Sequence, residues 1–186
     1  RTCFATRTLM PLGFVWRRSP GFVPHASLER FLGLVVEVLD SNGVPFMLTA
    51  SLAGSDPGAP RATQDIDLVV EPELPSLLRI ADGLRYAGLY VSDETILEAF
   101  AVRGQFNASG RASGGKADFI IRKERLFSEE EFNRRQHCTF LGLELSILSA
   151  EGLVIAKLEW ARLGDSERQV HDVEEVLAVQ GDSLDT

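Results

Sequence analysis

The chain reads as a mixed α/β (α+β) domain, a short mixed sheet with flanking helices and a helical hairpin at its C-terminal end, and three observations predict it. Two short apolar runs, VPFMLTA at 44–50 and IDLVV at 66–70, are joined by Gly, Ser, Pro, Asp, Arg and Thr, the pattern of strand, turn-rich loop, strand. Segments with apolar residues at helical spacing stand on either side of them. The later strand signals look like hairpins rather than a regular strand–helix–strand repeat, so the sheet should be mixed. A chain of 186 residues suits one domain with a small helical appendage.

The elements follow in order. Residues 1–24 carry Arg1, Arg7, Arg17 and Arg18 and no acid, so they read as a leader, poorly ordered or not native, outside the fold. A core is expected over 25–148 and the helical hairpin over 149–186. Ser27 is positioned to cap a helix over 28–39, which Asp40, Ser41, Asn42 and Gly43 end. The first strand is placed at 45–49 and the second at 65–70. Pro72 and Pro75 open a helix that runs to Ala87, and Gly88 closes it. A helix over 93–102, strands at 105–108 and 117–122, and a hairpin or bent strand around Gly142 come next. Ser128 with Glu131 three later looks like a capping box for a short helix. Helices over 150–163 and 166–179 complete the chain.

Composition narrows the function. The net charge of -8 and pI near 4.9 argue against general nucleic-acid affinity, which depends on Lys and Arg displacing counterions. No apolar run reaches the roughly 18 residues of a membrane span. Cys3 and Cys138 show no metal-binding spacing and read as free thiols of a cytoplasmic protein. Serines without His and acid partners leave serine hydrolase chemistry unsupported.

Asp65 and Asp67, two apart on a strand, project to the same side. Carboxylates so close need a proton or a cation between them, so the pair is either a hard-metal site or a structural lock. Asp118 enters the strand at 117–122, and beside strand 65–70 its carboxylate joins the other two. That donor set suits Mg²⁺, alternatively Mn²⁺, with phosphates and waters and serves phosphoryl transfer. Ser51, after the first strand, offers a hydroxyl and amide groups to a phosphate, and Arg61 and Lys157 offer positive charge. Plainer readings stand beside these. Arg61 pairs with Asp56 or Asp65 on the surface, Thr63 bonds within its loop, Asp118 bonds a neighbouring amide, Lys157 snorkels over apolar neighbours, and Asp172 is a solvated helix acid.

The strings LTASLAGS, RATQDIDLVVE, ADFII and LSAEGLVIAKLEWARLGDSERQVHDVEEVL resemble the minimal nucleotidyltransferases of the DNA polymerase beta superfamily, closest to the abortive-infection toxin type. The resemblance covers 35–177 and implies the nucleotidyltransferase fold. It also implies Mg²⁺-dependent transfer of NMP from an NTP to an acceptor hydroxyl on tRNA, protein or a small molecule. By that likeness Ser51, Asp65, Asp67 and Asp118 occupy the places of the family's Ser and its three Asp. Lys157 then contacts the triphosphate, with Arg61 and Thr63 nearby, and Asp172 organises the site or handles a proton. Two departures are visible: Ala50 stands where the family usually has Gly, and Arg168 with Gln169 where toxin-type members often have Lys-Asp. They motivate a second expectation, a catalytically weak or inactive module with a partner protein in a toxin–antitoxin or defence pair.

Overall fold

The structure, a computed structural model, describes residues 24–49, 65–110, 114–164, 170, 171, 173, 174 and 177. Its elements in chain order are α1 (Pro24–Ser41), β1 (Phe46–Leu48), β2 (Asp65–Val70), α2 (Leu74–Tyr86), α3 (Asp93–Val102), β3 (Gln105–Ser109), β4 (Lys116–Ile121), α4 (Leu126–Asn133), β5 (Gln136–Phe140), β6 (Leu143–Ile147) and α5 (Ala150–Gly164). The chain is again helical at Val170 and His171, with Val173 buried beyond them. Residues 1–23 of the expected leader lie outside the described residues, while its last residue, Pro24, opens α1, and among those described no helix is long and apolar enough to cross a membrane.

Six strands form one sheet in the order β3-β4-β2-β1-β6-β5. The pairs β1/β2, β3/β4 and β5/β6 are antiparallel, while β1/β6 and β2/β4 are parallel. The sheet is mixed because the chain leaves β2 through two helices before β3 and β4 return as an antiparallel pair on its outer side. Phe106 and Phe119, opposite each other in the β3/β4 register, stack at 4.9 Å between centroids and pin the edge strand, an aromatic cross-strand contact worth about 0.5–1.5 kcal/mol beyond burial. The β5–β6 turn places Leu141 and Gly142 both at positive φ, 49° and 78°, as a two-residue hairpin turn matched to strand twist requires. This resolves the choice around Gly142 in favour of the hairpin.

Alternation along β2 and β4 gives the sheet two unlike faces. Ile66, Leu68 and Val70, with Ala117, Phe119 and Ile121, lie at or near zero exposure and meet Leu32, Val35 and Leu39 of α1, Ile80 and Leu84 of α2, and Ile96 of α3 in one core. Each large apolar side chain sealed there stabilises the fold by roughly 1.5–3 kcal/mol. On the other face Met47, Phe132, Leu148 and Leu153 form a smaller cluster against Val69. Gly115, just before β4, lets α1 approach: a Cβ there would stand 2.8 Å from the Phe31 ring.

Three expectations change. Ser27 does not cap the first helix: α1 begins at Pro24, and Ser27 lies inside it. Ser128 is not a cap: α4 begins two residues earlier, its N-cap is Arg125 without a side-chain cap bond, and Ser128 is buried within the helix. The pattern marked a short helix but not its start, since a pair three residues apart caps only at the first turn, and Ser128 lies inside α4. Cys138, expected to be a free thiol, is buried in β5 and is not free.

Candidate active site

The sheet face opposite the main core carries the polar residues of β2 and β4. Because these strands are parallel and in register, Asp67 is directly opposite Asp118 and Asp65 opposite Lys116. Residues opposite one another on neighbouring strands share a face and stand about 4.8 Å apart. The next positions along the same face are Val69 and Ile120. Val69 is packed by Phe132, Leu148 and Leu153, so α4 and α5 put apolar side chains against one end of this face, and the aspartates stand at the other. Asp65 is exposed, Asp67 is half-buried, and the Asp118 side chain is 19% exposed. Thr49 fixes the Asp67 backbone, its N–H donating to the Asp67 carbonyl at 2.9 Å and its hydroxyl to the same oxygen at 3.3 Å.

Lys116 completes the cluster. Its Nζ donates to Asp118 Oδ2 at 2.7 Å, and Asp118 holds the Lys116 ammonium above its ordinary pKa, chiefly through this hydrogen bond, with added attraction from Asp65 and Asp67. The field on this face therefore favours a cation.

The aspartates line a groove of about 430 Å³ together with apolar Met47, Val69, Ile120, Phe127, Leu148 and Leu153 and polar Thr49, Gln105, Arg122, Lys123, Arg125, Glu131, Lys157 and Glu159. That volume falls in the range of small-ligand sites. Its basic wall is partly engaged: Arg122 Nε donates to Glu71 Oε1 at 2.8 Å, and Arg125 pairs with Glu159 while its Nε donates to Ser128 Oγ at 2.8 Å. The Arg125–Glu159 pair ties α4 to α5 across the groove. Glu131 sits behind it, and its carboxyl is pushed up to about 7, mainly by burial, with Glu159 adding repulsion and Arg125 opposing both. A half-buried acid near neutrality in a cleft marks a candidate functional group.

Of the residues named from the sequence, Asp67, Asp118 and Lys157 meet in this groove, and Asp65 stands at its exposed edge on the same face. Ser51, Arg61, Thr63 and Asp172 lie outside the described residues, as do Ala50, Arg168 and Gln169. Lys116, Gln105, Arg125, Glu131 and Glu159 were missed. The two-residue spacing of Lys116 and Asp118 on one strand was an available signal. Arg125 and Glu159, 34 residues apart, left none.

The donor set fits a hard divalent cation. Asp67 and Asp118 offer neighbouring carboxylates, and Asp118 already attracts an ammonium. Among the described residues no three His, Cys, Asp or Glu side chains gather into a cage able to hold a metal unaided. Mg²⁺ commonly uses one or two carboxylates with substrate phosphates and waters, an arrangement this pair accommodates.

No family model matches the chain, and no curated protein matches it. Solved structures similar to it include the following two. One, a lincosamide antibiotic adenylyltransferase, LnuA, with lincomycin bound, has a TM-score of 0.52 at 12% identity, covering 81% of this chain and 97% of that one. The other, an antigenic nucleotidyltransferase-like protein from Paracoccidioides brasiliensis, has a TM-score of 0.53 at 13% identity, covering 87% of this chain and 78% of that one. With its mixed six-stranded sheet and helices on both faces, the chain has the nucleotidyltransferase fold.

Proposed function

We propose that the protein is a nucleotidyltransferase that moves NMP from an NTP to a hydroxyl of a small-molecule acceptor. The observation that carries this reading is the in-register Asp67–Asp118 pair on a nucleotidyltransferase-fold sheet. Asp67 and Asp118, with exposed Asp65 beside them on the same face, are the carboxylates that would hold Mg²⁺ or Mn²⁺ together with the nucleotide phosphates, and the ion when bound neutralises charge building on the α-phosphate. Ser51, Arg61, Thr63 and Lys157 contact the triphosphate, and Asp172 organises the site. The acceptor hydroxyl attacks the α-phosphorus and forms a new P–O bond as the bond to the β-phosphate oxygen breaks. Pyrophosphate leaves, and the hydroxyl proton passes to a carboxylate of the cluster, for which half-buried Asp118 is placed. A small molecule fits the groove of about 430 Å³ better than tRNA suits a chain of net charge -8, and the lincosamide adenylyltransferase of similar fold supports that choice. Cytoplasmic residence would give access to NTP.

A second reading, a binding module with a partner protein in a toxin–antitoxin or defence pair, is favoured by one observation: Lys116 already neutralises Asp118. The test is transfer from labelled NTPs with Mg²⁺ to lincomycin, aminoglycosides, tRNA and protein in parallel. Label on a small molecule, lost in Asp67→Asn, supports the proposal. Label on tRNA or protein corrects the acceptor. No transfer, with no Mg²⁺-dependent NTP binding by calorimetry, selects the module.

A further inference from the structure

Lys116 has no part in the transfer chemistry above, yet among the described residues it is the cation that bonds to this carboxylate cluster. It is opposite Asp65 in the strand register, two residues from Asp118 on the same strand and face, and its Nζ lies 2.7 Å from Asp118 Oδ2. Asp65 and Asp67 also attract it. An oxygen that accepts this hydrogen bond directs its lone pair at the ammonium, so a divalent ion needing the same oxygen must compete with Nζ.

The pair is unequal in freedom. The Lys116 side chain is 43% exposed and that of Asp118 19%, so the ammonium can leave while the carboxylate stays. A lysine is a point charge on a flexible four-carbon stem, able to turn from one acceptor to another on the same face. A partly exposed ion pair holds its partner by a factor of about five or less. That is enough to bias an empty site and too little to block a filled one. Because both residues belong to one strand, the contact forms with β4 itself and depends on no other element.

We propose that Lys116 is a tethered counter-ion that occupies the carboxylate cluster in the absence of nucleotide and transfers to the triphosphate when the metal–nucleotide complex enters. It rests on the NTP-dependent reading of the site. Lys116 thereby opposes the metal alone and favours the metal together with nucleotide, so the two ligands bind in order rather than independently.

The test compares wild type with Lys116→Met and Lys116→Gln, using Mn²⁺ alone followed by electron paramagnetic resonance, and α,β-methylene-ATP with saturating Mg²⁺ followed by calorimetry. Removing the ammonium should tighten Mn²⁺ alone by about two- to fivefold, the bias of the ion pair the metal must displace, and weaken the analogue by a similar factor. A structural role would move both affinities the same way, and melting curves of both variants check the fold. Unchanged or weaker Mn²⁺ binding in the variants, with analogue binding intact in wild type, overturns the role of Lys116 and leaves the transferase reading standing. Absence of Mn²⁺ and analogue binding in wild type and variants alike overturns both.

Discussion

One face of the sheet has two ends built from the same strands, and they behave differently. At the Val69 end, Met47, Phe132, Leu148 and Leu153 pack against the strand in an apolar cluster, and all of them but Phe132 line the same groove as the aspartates. Two residues away, Asp67 and Asp118 stand side by side. The strand geometry is continuous between them, so pairing and pleat do not distinguish an apolar end from a polar one. What differs is the cover: α4 and α5 place apolar side chains over one end and a charged groove wall beside the other. Polarity is tolerated only where water, a counter-ion or a ligand can reach it.

The sharpest way to break this contrast is at the polar end. Asp67→Asn and Asp118→Asn should each lower transfer from a labelled NTP by about 100–1000-fold, as expected when charge stabilisation in the transition state is lost, while thermal melting changes little. At the apolar end the reverse is expected. Phe132, 2% exposed, cut to Ala should cost about 3–5 kcal/mol of stability in urea titration, with weakened activity only as a consequence of the loosened groove wall.

Glu131 sharpens the comparison because it belongs to both ends, half-buried and lining the groove. Its carboxyl titrates at about 7 in the folded chain against an ordinary 4.5, so the native state holds the proton more tightly than the unfolded one. Stability from this group is therefore full at pH below 4.5 and declines as pH rises toward 7, and the deficit persists above it. After allowance for partial exposure the deficit is about 1–3 kcal/mol. Glu131→Gln should be more stable than wild type at pH 8 by that amount and nearly equal at pH 4. Equal stability of the two proteins at pH 8 would show that the carboxyl is solvated. The smallest effect belongs to Arg125→Ala, which removes a partly exposed pair with Glu159 worth about 0–1 kcal/mol. It should also push the Glu131 carboxyl higher still, visible as a shift of that same pH dependence.

Much of this architecture was legible before folding was considered. The bounds of β2 and α3 agree with the sequence reading to the residue, because alternation in DIDLVV and the Ser92 cap before an apolar-periodic segment are local signals. The Asp67–Asp118 meeting was legible as a possibility, since both interrupt apolar strands, but its register was not. The Ser128–Glu131 spacing pointed to a helix that is present but misplaced its start: a pattern three residues apart serves a cap only at a helix end, and here α4 begins at Leu126 with Ser128 inside it.

Local chemistry along the chain determined which segments extend or coil, where carboxylates fall on a strand, and that two of them project together. Only the tertiary structure decided that β2 and β4 run parallel in register, that Lys116 reaches Asp118, that α4 and α5 put apolar side chains against one end of the face, and that Glu131 loses enough water to titrate near neutrality. Periodicity and turn residues act over a few positions, whereas strand partners, burial and electrostatic fields depend on atoms brought together from distant parts of the chain.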